Sequence, residues 1–252
     1  MTGSAADVAP WHLVEGPAGT LQVYTTPSAD GPAVMLCHEL PRATDGGTDA
    51  GHAYPALADR LAHECGCKVV VGMLRGAGGS DGDFSASGWL EDVMVVAEAE
   101  VGPGRPLWLI GFGLGAAIAL RTATTDERFR GVASVAGSAD LTAWMANLTR
   151  VLDRCRRSGV IRTRGFPPDV TAWAADVVAL APLDAAAELR GRPLLVVHGS
   201  DDGEVPTAAA RALADAASPG PVDLRIVPGA GHWLRADPRV VATLVGWIER
   251  RR

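Results

Sequence analysis

The chain has 252 residues, 48% of them hydrophobic and 21% charged, which suffices to bury the core of one α/β domain. A formal charge of −6 argues against a nucleic-acid partner and against an anionic membrane surface. No apolar run approaches bilayer length, and Met1 to Pro10 lacks the basic and apolar regions of a secretory leader, so a cytoplasmic protein is expected.

Cys37, Cys65, Cys67 and Cys155 have neither zinc-ligand nor redox-pair spacing, so they read as reduced thiols, with no metal and no cofactor expected. His12–Val14 and Thr20–Thr25 read as short strands around Gly16-Pro17. After the turn at Ser28 to Gly31, Ala33–Cys37 is an apolar strand ending in His38-Glu39-Leu40-Pro41. A polar loop from Arg42 to Gly51 leads to a helix over Ala53–Glu64, with Tyr54, Leu57 and Leu61 at helical spacing. Lys68–Leu74 has the β-branched content of a strand buried on both faces. The loop Arg75-Gly76-Ala77-Gly78-Gly79-Ser80 and a helix over Ala86–Glu100 follow.

Leu107 to Gly115 is a short apolar run with glycines at 111, 113 and 115, and an alanine-rich helix follows to Thr125. Strand, sharp turn and helix in that order predict a nucleophile elbow, the G-x-S-x-G turn that lifts a serine above a parallel sheet. The middle position is Gly113, so the turn is expected without its serine. Gly131–Val135 is the next strand. Residues 141–192 break the rhythm with two or three helical stretches, including Trp144 and Trp173, and read as an inserted helical cap on the single domain 1–252. Pro193–Val197, Pro206–Ala217, Val222–Val227 and Asp237–Arg250 then give strand, helix, strand and an amphipathic closing helix. Strands alternating with helices predict a doubly wound, mostly parallel sheet.

Three further motifs fall at the carboxyl ends of strands, where open α/β sheets place their sites: His38-Glu39-Leu40-Pro41, His198-Gly199-Ser200-Asp201-Asp202 with Val205-Pro206 behind it, and Gly229-Ala230-Gly231-His232. With the Arg75 to Ser80 loop and the 111–115 turn, in this order, the sequence resembles the α/β-hydrolase superfamily over nearly its whole length. That resemblance implies that Asp202 orients His232 and that His232 is the base. It also implies that the backbone N–H groups of Leu40 and Leu114 form an oxyanion hole.

Two positions depart from the pattern. Gly113 offers no attacking atom, and in a serine protease deleting the nucleophile costs on the order of 10⁶ in kcat. Glu39 stands where the family's H-G-x-P motif has glycine, and a carboxylate opposes the negative charge an oxyanion hole stabilises. Substitute nucleophiles would be Cys37 or Ser138, whose bland readings are a core residue and a turn residue. A dinucleotide fingerprint, Gly111-x-Gly113-x-x-Ala116, lacks the acid that should end the following strand. Pocket candidates are His38, Glu39, Phe112, Ser138, Trp144 and Trp173, around a small apolar or acyl ligand. The expected function is a binding protein on a hydrolase frame, or a hydrolase or lyase using His232–Asp202 as general base with no acyl-enzyme.

Overall fold

The computed structural model describes residues 11–27, 31–42 and 48–251, with 48–52 described by backbone only. The expectations for Met1 to Pro10, for the turn at 28–30, for the loop at 43–47 and for the side chain of His52 lie outside the described residues.

Eight strands form one sheet: β1 (His12–Gly16), β2 (Gly19–Thr25), β3 (Ala33–Cys37), β4 (Lys68–Gly72), β5 (Leu107–Phe112), β6 (Phe129–Val135), β7 (Leu194–Gly199) and β8 (Val222–Val227). Their spatial order is β1-β2-β4-β3-β5-β6-β7-β8. The β1–β2 and β2–β4 pairs are antiparallel, and all pairs from β4 to β8 are parallel. The two-residue hairpin Gly16–Gly19 makes the antiparallel edge, whereas every parallel pair needs a crossover.

The central strands are buried on both faces, so their side chains alternate between two cores rather than between core and water. Met35, Val70, Leu109, Val132 and Val196 face the side covered by α2 (Ala86–Val101), α3 (Leu114–Thr125) and α8 (Thr207–Ala216). Val34, Leu36, Val69, Val71 and Ile110 face α1 (Thr48–Cys65) and α9 (Pro238–Glu249). Trp108 meets Trp247 of α9 edge-on, with ring centroids 5.2 Å apart.

The helix expected over Ala53–Glu64 begins five residues earlier, at Thr48. Gly51, at the end of a polar, glycine-rich stretch, is the cause, because glycine is a poor helix former and hides the helix's first turn from a propensity reading. Residues 141–192 hold four short helices: α4 (Thr142–Met145), α5 (Leu148–Arg157), α6 (Val170–Val178) and α7 (Pro182–Ala187). Val170–Ala187 reaches bilayer-compatible length and mean hydropathy, but Leu180 and Ala181 split it into α6 and α7.

Polar contacts tie this region to the loop after β4. Asp83 accepts hydrogen bonds from the backbone N–H groups of Arg162 (2.6 Å) and Thr163 (2.9 Å). The Arg162 guanidinium donates to the carbonyls of Gly76, Gly78 and Ser80. Asp176 of α6 accepts from Ala86 N–H at 2.8 Å, closing the N-terminus of α2 with a carboxylate.

Candidate functional site

The carboxyl ends of β3, β5, β6 and β7 and the loop after β8 surround one cavity of about 1050 Å³. The β5–α3 turn forms its floor. Gly113 adopts φ 51°, ψ −119°, in the left-handed half of backbone space that disfavours a residue with a Cβ. Its glycine neighbours are required for a different reason. A Cβ at Gly111 would lie 2.2 Å from the carbonyl oxygen of Gly115, and one at Gly115 would lie 2.3 Å from that of Cys37. Strand and helix meet too closely at this corner for any side chain.

Loops after β7 and β8 bring Asp202 and His232 together. His232 Nδ1 is 2.8 Å from Asp202 Oδ2. The other carboxylate oxygen of Asp202 accepts the backbone N–H groups of Glu204 and Val205, each at 2.9 Å. Burial by itself raises the Asp202 carboxyl, but the bonds from Val205, His232 and Glu204 outweigh it and hold the group below the ordinary carboxylate range. His198 was quoted only as part of the motif, yet it backs the pair: its Nε2 is 2.9 Å from the Val205 carbonyl and 3.2 Å from Asp202 Oδ2.

Gly113 and His232 face each other. A Cβ built on Gly113 would stand 3.6 Å from His232 Nε2 and 3.1 Å from Glu39 Cβ. Leu40 and Leu114 line the same cavity, and Leu114 opens α3, where the first N–H groups lack intrahelical partners.

Glu39 also lines the cavity, only 7% exposed, and its carboxylate pairs with the guanidinium of Arg235. Burial lifts the Glu39 carboxyl above its usual range, against the opposing pull of Arg235, of His232 and of the Tyr54 hydroxyl. Glu39 N–H donates to Tyr54 Oη at 3.2 Å. Arg235 lies three residues beyond His232, and no sequence signal marked it, because the partner it neutralises is nearly two hundred positions away.

Of the six pocket candidates, Glu39, Ser138 and Trp144 line the cavity. His38, Phe112 and Trp173 do not. The buried His38 ring is used within its own loop: Nδ1 meets the Glu39 carbonyl at 2.9 Å, and Nε2 accepts Leu74 N–H at 3.0 Å. Burial drives its pKa down to about 4. Strand alternation sends Phe112 to the α1 side of the sheet, against Tyr54 at 5.6 Å. Trp173 is a packing residue, its indole N–H donating to the Phe84 carbonyl at 2.9 Å.

Both candidate substitute nucleophiles are engaged elsewhere in the structure. Cys37 is fully buried in β3, away from the cavity lining, and burial pushes its thiol up to about 12. Ser138 Oγ donates to the Asp140 carbonyl at 2.7 Å, a local turn contact. The dinucleotide reading also fails, because β6 ends in Val135 and offers no acid to hold a ribose.

An open, mostly parallel sheet with a helical cap over the strand ends, an Asp–His pair and a tight strand-to-helix turn define an α/β-hydrolase architecture. The sequence model of the alpha/beta hydrolase family matches residues 34–244, and the chain belongs to that family. Solved structures agree on the fold. A thermophilic esterase from Thermogutta terrifontis, with malate bound, superposes at TM-score 0.69 with 20% identity, covering 96% of this chain and 99% of the esterase. Mouse alpha/beta hydrolase domain-containing protein 10 reaches 0.72 at 15% identity, covering 97% and 100%. An alpha-beta serine hydrolase homologue from Coxiella burnetii reaches 0.62 at 23% identity, covering 98% and 99%. The curated proteins contain no sequence match to this chain.

Proposed function

We propose that this protein binds a small molecule with an apolar or acyl body in the cavity beneath its cap and forms no acyl-enzyme. The β5–α3 turn is, in this reading, a nucleophile elbow whose nucleophile position is empty. One observation carries it: the residue facing His232 Nε2 is Gly113, which has no atom to attack a carbonyl. Glu39 points the same way by its bulk, since its Cβ stands 3.1 Å from where a Cβ on Gly113 would be, and its carboxylate is held there by Arg235. Without the serine, glycine is the residue that takes the turn's backbone angles at least strain. A cytoplasmic location and a ligand that is neither nucleic acid nor membrane belong to the same proposal.

A second reading has its own support. Asp202 is buried, accepts two backbone N–H groups and holds His232 by Nδ1, which leaves Nε2 toward the cavity. That arrangement suits a general base acting on water or on a substrate C–H without a covalent intermediate. The two readings separate in one comparison. Wild type and His232→Ala are assayed side by side on ester, thioester and lactone panels, with ligand-induced thermal shifts recorded for both. The binding reading expects thermal shifts and no turnover from either protein. Turnover in wild type that disappears in His232→Ala overturns it in favour of the general base.

A further inference from the structure

The geometry points to an anionic group, carboxylate or phosphate, at one end of the ligand, received by the arginines of α5. This inference rests on the reading of the cavity as a small-molecule site. Helix α5 reads Leu-Thr-Arg-Val-Leu-Asp-Arg-Cys-Arg-Arg. Its Val151, Leu152 and Cys155 are buried, and Arg150, Arg154 and Arg157 recur at i, i+4 and i+7, a single helical face. All three of those arginines line the cavity, whereas Asp153 and Arg156 of the same helix do not. The charged side chains that the helix turns toward the cavity are therefore all cations, beside the apolar Val151.

Of the cavity's charged side chains, Glu39, Arg154, Arg157 and Glu204 are in ion pairs, whereas Asp140 has only a backbone donor. Arg154 pairs with Glu204 at 3.2 Å, both partners being about a third exposed. Arg157 pairs with Asp153 at 2.5 Å on the surface. Glu39 is taken by Arg235, and the Asp140 carboxylate accepts Thr142 N–H at 2.8 Å. The Arg150 guanidinium makes no hydrogen bond or ion pair among the described residues. Among the described residues it is the cavity arginine with no carboxylate paired to it.

Polarity sets the ligand's direction. The α5 arginines draw the anionic end, which leaves the neutral acyl end for the floor beside Gly113, where Glu39 is already paired with Arg235. Leu114, Trp144 and Val151 supply apolar wall in the same cavity. Guanidinium groups receive carboxylate and phosphate oxygens in a bidentate fork, and paired arginines such as Arg154 can exchange a surface partner for the ligand.

The test uses calorimetric titration of the full chain with monomethyl suberate, dimethyl suberate, octyl phosphate and octanol. Wild type is expected to prefer at least one anionic probe over its neutral counterpart by about tenfold. The preferred pair identifies the anion as carboxylate or phosphate. The preference should shrink as salt is raised, because Arg150 and Arg157 are exposed and Arg154 is half-buried. Arg150→Gln should remove the largest share of it, and the Arg150→Gln/Arg154→Gln/Arg157→Gln variant all of it, with the neutral probes unaffected. Equal binding of charged and neutral probes, or a preference that survives the triple variant, overturns the anion site and leaves the small-molecule reading standing. No binding by any of the four probes overturns both.

Discussion

Gly113→Ala is the cleanest perturbation of the turn, because it adds one methyl group and no chemistry. The position holds φ 51°, ψ −119°, which a residue with a Cβ occupies at a cost of roughly 1–3 kcal/mol. The new methyl would also press on Glu39 Cβ at 3.1 Å, and Glu39 is held by Arg235 and cannot withdraw freely. For a domain of this length each kcal/mol moves Tm by roughly 2–4 °C, so the backbone term alone predicts a fall of roughly 2–12 °C. Gly113→Ser should fall by a similar amount, and the added hydroxyl, one bond beyond a Cβ 3.6 Å from His232 Nε2, should bring weak esterase activity. Scanning calorimetry on both variants, with p-nitrophenyl butyrate hydrolysis on the serine variant, reads the two effects apart. An alanine variant that melts at or above wild type would refute the strained-turn reasoning.

Combining Gly113→Ser with Glu39→Gly should raise esterase activity above that of the serine variant alone, since it removes the 3.1 Å contact; equal rates would contradict the role given to Glu39. Arg235→Ala should destabilise the fold by about 3–5 kcal/mol in urea denaturation, because it strands the buried Glu39 carboxylate, and Glu39→Gln should recover part of that loss. Gly111→Ala should prevent folding or lower Tm more than any change at Gly113, since its methyl would meet a backbone carbonyl at 2.2 Å. Asp202 contributes to the acid end of the stability profile, together with other lowered carboxyls such as Asp83 and Glu100. Its folded pKa lies below the ordinary 3.8, so its contribution is complete above that pH and is lost as pH falls through the lower folded value. Asp202→Asn should flatten the stability curve over that acidic window in pH-dependent chemical denaturation.

The strands were legible because buried parallel strands read as short apolar runs, and all eight lie within a few residues of where the pattern puts them, whereas their spatial order was not read from the sequence. The strand ends carried the motif residues, so Gly113, Asp202 and His232 could be brought together from sequence alone and meet in the structure. Pocket membership was harder. Phe112 is adjacent to Gly113 in sequence but points through the sheet, and Trp173 sits in the cap but bonds away from the cavity. A one-residue alternation decides such cases, and it depends on which face the helices cover.

Arg235 and Glu39 show the other limit. Their ion pair depends on how the loops after β3 and β8 pack together, and nothing local to either residue encodes it. The arginine series at 150, 154 and 157 went unread in the sequence, since only the placement of α5 beside the cavity separates a ligand-facing stripe from a solvated one.

The most direct measurement is intact-protein mass spectrometry after incubation with a fluorophosphonate. Wild type should keep its unmodified mass, while the Gly113→Ser variant should gain one adduct that His232→Ala suppresses. An adduct on wild type, mapped to any serine or cysteine lining the cavity, would contradict the claim that the attacking atom is missing.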